Sequence, residues 1–152
     1  IDGVKIDCIA HKYAYLRQPY AESGIRLYSI EDIVAMKLSA IADDGSRLKD
    51  FVDITCLSTR IPFYEMLKCY ERKFPQANVI RPFKALTYFD DIDFGEDIVM
   101  LNFEYDWKQI ARRLKEMTVR QEHIFSQWPL KEQKRPVAED KDTTSMKRGR
   151  KR

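Results

Sequence analysis

The chain has 152 residues, 44 % hydrophobic and 34 % charged, with a formal net charge of +3. This is the composition of a globular domain large enough for a real core. It excludes a chain too polar to fold, and no uncharged apolar run approaches the roughly 18 residues of a membrane-crossing helix. The charge is uneven: residues 131–152 hold nine Lys/Arg against four acids, a net of +5, which leaves −2 for residues 1–130. We therefore divide the chain into a body, residues 1–128, and a basic tail, residues 129–152, whose scarcity of apolar side chains predicts disorder. Cys8, Cys56 and Cys69 are odd in number, widely spaced and set among apolar residues. They read as reduced core thiols, which with no basic-then-apolar leader makes the cytoplasm the expected compartment. His11 and His123 are isolated and match no zinc spacing.

The sequence opens on Ile1 rather than Met and enters a strand pattern at once, which predicts a piece of a larger domain. In Val4–Ala10, Val4, Ile6, Cys8 and Ala10 share one face, and Lys5, Asp7 and Ile9 the other. Asp7 is either a solvated face residue or a metal-binding carboxylate. After a loop at residues 16–24, Ile25–Tyr28 is a second short strand candidate. Ser29 then offers an N-cap with Asp32 as a short-armed capping-box acid. Ile30, Ile33, Val34, Leu38 and Ile41 form the stripe of a first helix, with Glu31, Asp32, Ser39 and Asp43 opposite. Asp43-Asp44-Gly45-Ser46 makes the turn, and a second helix runs from about Arg47 to Leu57 on Leu48, Phe51, Val52, Ile54 and Leu57. Asp53 lies beside Lys49 on its polar edge.

Pro62 starts a third helix with the stripe Phe63, Met66, Leu67 and Tyr70, ended by Phe74-Pro75. A fourth is predicted over Val79–Phe89. Asp90, Asp91 and Asp93 follow, either a cation-attracting loop or a cap and solvated turn. Asp106 caps a last helix through Trp107, Ile110 and Leu114, continuing to about Phe125. The predicted class is α+β, mostly helical, and no G-x-G-x-x-G, P-loop or nucleophile elbow is present.

Two residues break the pattern. Lys37 falls near the middle of the first helix's apolar stripe, and Asp50 falls between Ile54 and Leu57 on the second. Buried charges are expensive unless paired or opened to a polar cleft. The pattern leaves two readings, a structural Lys37–Asp50 bridge or a polar site that offers an ammonium to phosphate. The basic end, Met146–Arg152, is likewise either a solubilising end or a sequence-independent contact to nucleic-acid phosphates.

Gly24-Ile25-Arg26-Leu27-Tyr28-Ser29-Ile30-Glu31-Asp32-Ile33, then Ala35-Met36-Lys37-Leu38 and Arg47-Leu48-Lys49-Asp50-Phe51-Val52-Asp53-Ile54, resemble the AbiEii/AbiGii-type nucleotidyltransferase family, toxin halves of bacterial toxin–antitoxin systems. Tyr88-Phe89-Asp90-Asp91 and Asp106-Trp107 follow in matching order, so the resemblance spans roughly residues 4–118. It implies the end of a small DNA-polymerase-β-like sheet followed by a helical bundle. It also implies transfer of a nucleotide from an NTP, with Mg²⁺ bridging the triphosphate, to an acceptor such as RNA or tRNA, and a cognate antitoxin. By position, Lys37 would contact nucleotide phosphate and Asp50 would be the acid of the K-D motif. Arg47, Lys49 and Asp53 would orient it, Arg47 and Lys49 also on the nucleotide side, and Asp7 would be the strand carboxylate for metal. The family's first motif, a Gly-Gly/Ser turn before paired strand carboxylates, is missing. The expectation is therefore that this polypeptide alone is inactive; the competing reading is a non-catalytic helical module that binds protein or RNA.

Overall fold

The computed structural model describes residues 12–96 and 98–133. The predicted strand at Val4–Ala10, with Asp7 and Cys8, and the chain beyond residue 133 lie outside these described residues. The loop predicted for residues 16–24 contains the first arm of a hairpin instead. β1 (Tyr20–Glu22) pairs antiparallel with β2 (Ile25–Leu27), Tyr20 opposite Leu27 and Glu22 opposite Ile25. Between them Ser23 and Gly24 have φ of 51° and 80°. Two successive left-handed residues are what a two-residue type I′ turn requires.

α1 (Ile30–Asp43) begins at Ser29, whose hydroxyl accepts the Asp32 N–H at 3.1 Å, satisfying one of the orphan donors of the first turn. Val34, Leu38 and Ile41 are buried as the periodicity predicts, but Ile30 is 43 % exposed. Gly45, at φ 70°, turns the chain into α2 (Leu48–Leu57). α3 (Phe63–Lys73) follows Pro62 and buries Phe63, Met66, Leu67 and Tyr70, all four residues of its predicted stripe. α1 packs against α2, α3 and a short α4 (Ile80–Ala85).

Two helices are shorter than predicted. α4 stops at Ala85 rather than Phe89: the Thr87 and Tyr88 N–H groups bond the carbonyls of Lys84 and Ala85, three residues back. That tighter turn brings Phe89 edge-on to Phe51 and Trp107, with ring centroids 6.1 and 5.1 Å away. α5 (Trp107–Val119), capped by Asp106, buries Ile110, Leu114 and Met117 but stops six residues before Phe125. Arg120 leaves helical geometry at ψ 61°. The chain then folds back, the Gln121 carbonyl accepting from Tyr64 N–H at 2.9 Å and Phe125 N–H donating to the Ser58 carbonyl at 3.0 Å. These long-range bonds and the burial of Phe125 replace what another helical turn would have given.

The folded body also continues past residue 128. Pro129 is buried, Leu130 packs on the core, and β4 (Lys131–Glu132) pairs antiparallel with β3 (Phe103–Glu104). The result is a mostly helical α+β fold with two two-stranded sheets among the described residues. No described helix is long and apolar enough to cross a membrane.

Candidate active site

The two charges that break the helical patterns meet. Lys37 Nζ on α1 lies 2.7 Å from Asp50 Oδ1 and 2.6 Å from Asp53 Oδ2, both on α2. Asp50 is 3 % exposed, Lys37 26 % and Asp53 48 %, so the three run from core to surface across the α1–α2 seam. Asp53 thus leaves Lys49, the neighbour its helical wheel suggests, for a lysine on the facing helix. A wheel compares residues within one helix and carries no information about the helix packed against it. Lys49 turns the other way, to Glu96 at 3.7 Å.

Burial works against the Lys37 charge, but Asp50 and Asp53 more than offset it and raise its pKa above the usual lysine value. The group is a fixed ammonium. Two carboxylates engage two of its three N–H donors, which leaves one for a further acceptor. Asp50 is also incomplete: its Oδ2 is buried without a hydrogen-bond partner, and Arg47 Nε approaches only to 3.9 Å. Arg47 precedes α2 and is half exposed at its mouth. Nearby, Asp93 N–H donates to the Ser46 carbonyl at 2.8 Å and forms a single parallel bridge with Arg47. The Asp93 carboxylate accepts Gly95 N–H at 2.8 Å, so this acid makes a turn.

Residues 9–132 match the family model described as Nucleotidyl transferase AbiEii toxin, Type IV TA system. The chain belongs to the AbiEii family. No curated protein and no solved structure matches it. In this AbiEii domain, Lys37, Asp50, Asp53 and Arg47 come together, Lys49 lies at the edge against Glu96, and Asp7 is outside the described residues.

The described residues do not make a Mg²⁺ site by themselves. No three of His, Cys, Asp and Glu converge among them, and Asp50 is already faced by two cations. Lys37 and Arg47 balance Asp50 and Asp53, so an anion can be received only through the spare Lys37 donor and the Arg47 guanidinium at the rim.

A second buried pair escaped the sequence reading. Asp32, predicted on the polar face of α1, is fully buried with Lys73 Nζ 2.6 Å away. Its carboxylate also accepts from Ser29 Oγ at 2.7 Å and from the Leu16 and Arg17 N–H groups at 3.0 and 3.2 Å. Burial pushes the Asp32 pKa upward, but Lys73 and these three donors prevail and lower it from 3.8 to about 2. Lys73 also donates to the Ala14 carbonyl at 3.1 Å. The available signal was Lys73 itself, which continues the α3 apolar stripe three residues after Tyr70.

Proposed function

We propose that this AbiEii domain is part of a nucleotidyltransferase toxin that moves a nucleotide from an NTP to an acceptor, and that Lys37 holds the triphosphate. The supporting observation is the doubly engaged Lys37 ammonium: two carboxylates fix it in place, and one N–H donor is left over. Nucleotidyl transfer builds negative charge on the departing pyrophosphate. A cation already partly desolvated and oriented stabilises that charge with little reorganisation.

In this reading Asp50 anchors Lys37 from the core and Asp53 from the solvent side. Arg47, half exposed at the start of α2, adds a second cation for phosphate, and Lys49 joins once it leaves Glu96. Mg²⁺, an RNA or tRNA acceptor and a cognate antitoxin enter this proposal from the family alone. Magnesium would supply positive charge to the triphosphate.

The test is labelled nucleotide transfer from an α-labelled NTP to total RNA in Mg²⁺ buffer, with the full-length protein. Lys37→Ala, and Lys37→Gln, which keeps a donor for the buried Asp50 carboxylate, are each expected to lower transfer about a hundredfold or more, the circular dichroism spectrum showing that the variant read is folded. Transfer by folded Lys37→Ala at the parental rate would reduce the pair to a structural bridge.

A further inference from the structure

Away from Lys37, α5 and the returning segment 123–129 enclose a cleft of about 240 Å³ whose lining includes Gln109, Arg112, Arg113, Glu116, His123 and Trp128. We propose that this cleft binds a phosphate group.

Arg113 carries a guanidinium without an ion-pair partner among the described residues, Glu116 acting on it only at longer range. Arg113 is held over the Phe125 ring, 4.2 Å from its centroid, and donates to Ser58 Oγ at 3.3 Å and the Gln127 carbonyl at 3.1 Å. These partners fix the guanidinium plane, and all are neutral. Neighbouring Arg112 is exposed and adds like charge. Among the described residues neither arginine forms an ion pair with a carboxylate. Glu116, the acid in the lining, is bound to Arg120 at 2.7 Å.

A part-buried, pre-oriented cation with unused donors, beside a second cation, is a geometry that bidentate oxyanions satisfy. His123 closes one side, its ring edge-on to Phe125 with centroids 4.7 Å apart. Trp128 is 45 % exposed on the other side and offers a π-face to a base attached to the phosphate. The cleft is independent of the Lys37 reading. Arg113 touches Ser58 at the C-terminal end of α2, eight residues and about 12 Å of helix beyond Asp50. Its phosphate can come from a free oxyanion or from a nucleic-acid backbone.

The experiment uses the full chain, isotope-labelled, with the Trp128 indole and His123 ring signals followed by NMR. One arm titrates inorganic phosphate; the other titrates a short single-stranded oligoribonucleotide without a terminal phosphate. Saturable shifts at both residues are expected in at least one arm. Arg112→Gln, a solvent-facing change that spares the fold, should weaken them about tenfold, and Lys37→Ala should leave them in place. Saturation by inorganic phosphate identifies a free oxyanion as sufficient. Saturation by the oligonucleotide alone, weakening steeply with salt, identifies a phosphodiester. Signals that stay still in both arms, or shifts that Arg112→Gln does not weaken, would overturn the proposal.

Discussion

Lys37 and Lys73 carry the same mark in the sequence, a lysine at a position where its helix otherwise buries apolar side chains. Lys37 stood out because Asp50 breaks the pattern of the very next helix. The partner of Lys73 is 41 residues away and hidden behind an ordinary role, since an acid three residues after an N-cap serine already has capping chemistry to explain it. The two pairs make different predictions. Asp32→Ala strands a fully buried ammonium and should destabilise the fold by about 3–5 kcal/mol in urea melts. Asp53→Ala, at a half-exposed position, should change stability by about 1 kcal/mol or less. Acid should expose the first pair as well. The folded-state pKa of Asp32 is about 2 against 3.8 unperturbed. Its stabilisation is therefore complete above about pH 4 and lost as pH falls toward 2, on the order of 2 kcal/mol. Asp32→Asn should flatten that part of the stability–pH curve.

Helices α1, α2 and α3 were legible almost to the residue because caps and punctuation agree with periodicity: Ser29 opens α1, Gly45 turns it into α2, and Pro62 precedes α3. The misplaced ends, at Phe89 and Phe125, have aromatic residues that suit a helical stripe and suit a tertiary cluster equally. Tertiary packing took both. The β1 arm was missed because Tyr20–Glu22 is exposed throughout, so no alternation marks it; the Ser23-Gly24 turn carries the information. The mouth of the candidate site depends on a similar backbone detail. Gly45 takes φ 70°, and a Cβ there would lie 3.2 Å from the Ile41 carbonyl oxygen. Gly45→Ala should therefore cost about 1 kcal/mol or more, read as a lower Tm. The α1–α2 seam should loosen with it.

Across the described residues, burial keeps chemistry away from the Cys56 and Cys69 thiols. Cys56 is pushed up to about 12, first by burial and then by the Asp53 charge, and burial also raises Cys69. At pH 8 the Cys56 thiol therefore stays protonated. With Cys8 replaced by Ser, a disulfide reagent should label the native chain slowly and the urea-unfolded chain at once. The labelling rate then reports how often the body opens.

Glu96 stands guard over Lys49 from only the surface, 3.7 Å away with both side chains well exposed. Such a contact is worth about 0–1 kcal/mol and fades with ionic strength. In the proposed nucleotide site, simple salt and an arriving polyphosphate consequently compete for one carboxylate–ammonium handshake. Dilute buffer tightens the latch against the nucleotide even as it strengthens the nucleotide's own attraction, so affinity should respond to potassium chloride less steeply in the native chain than after Glu96→Gln.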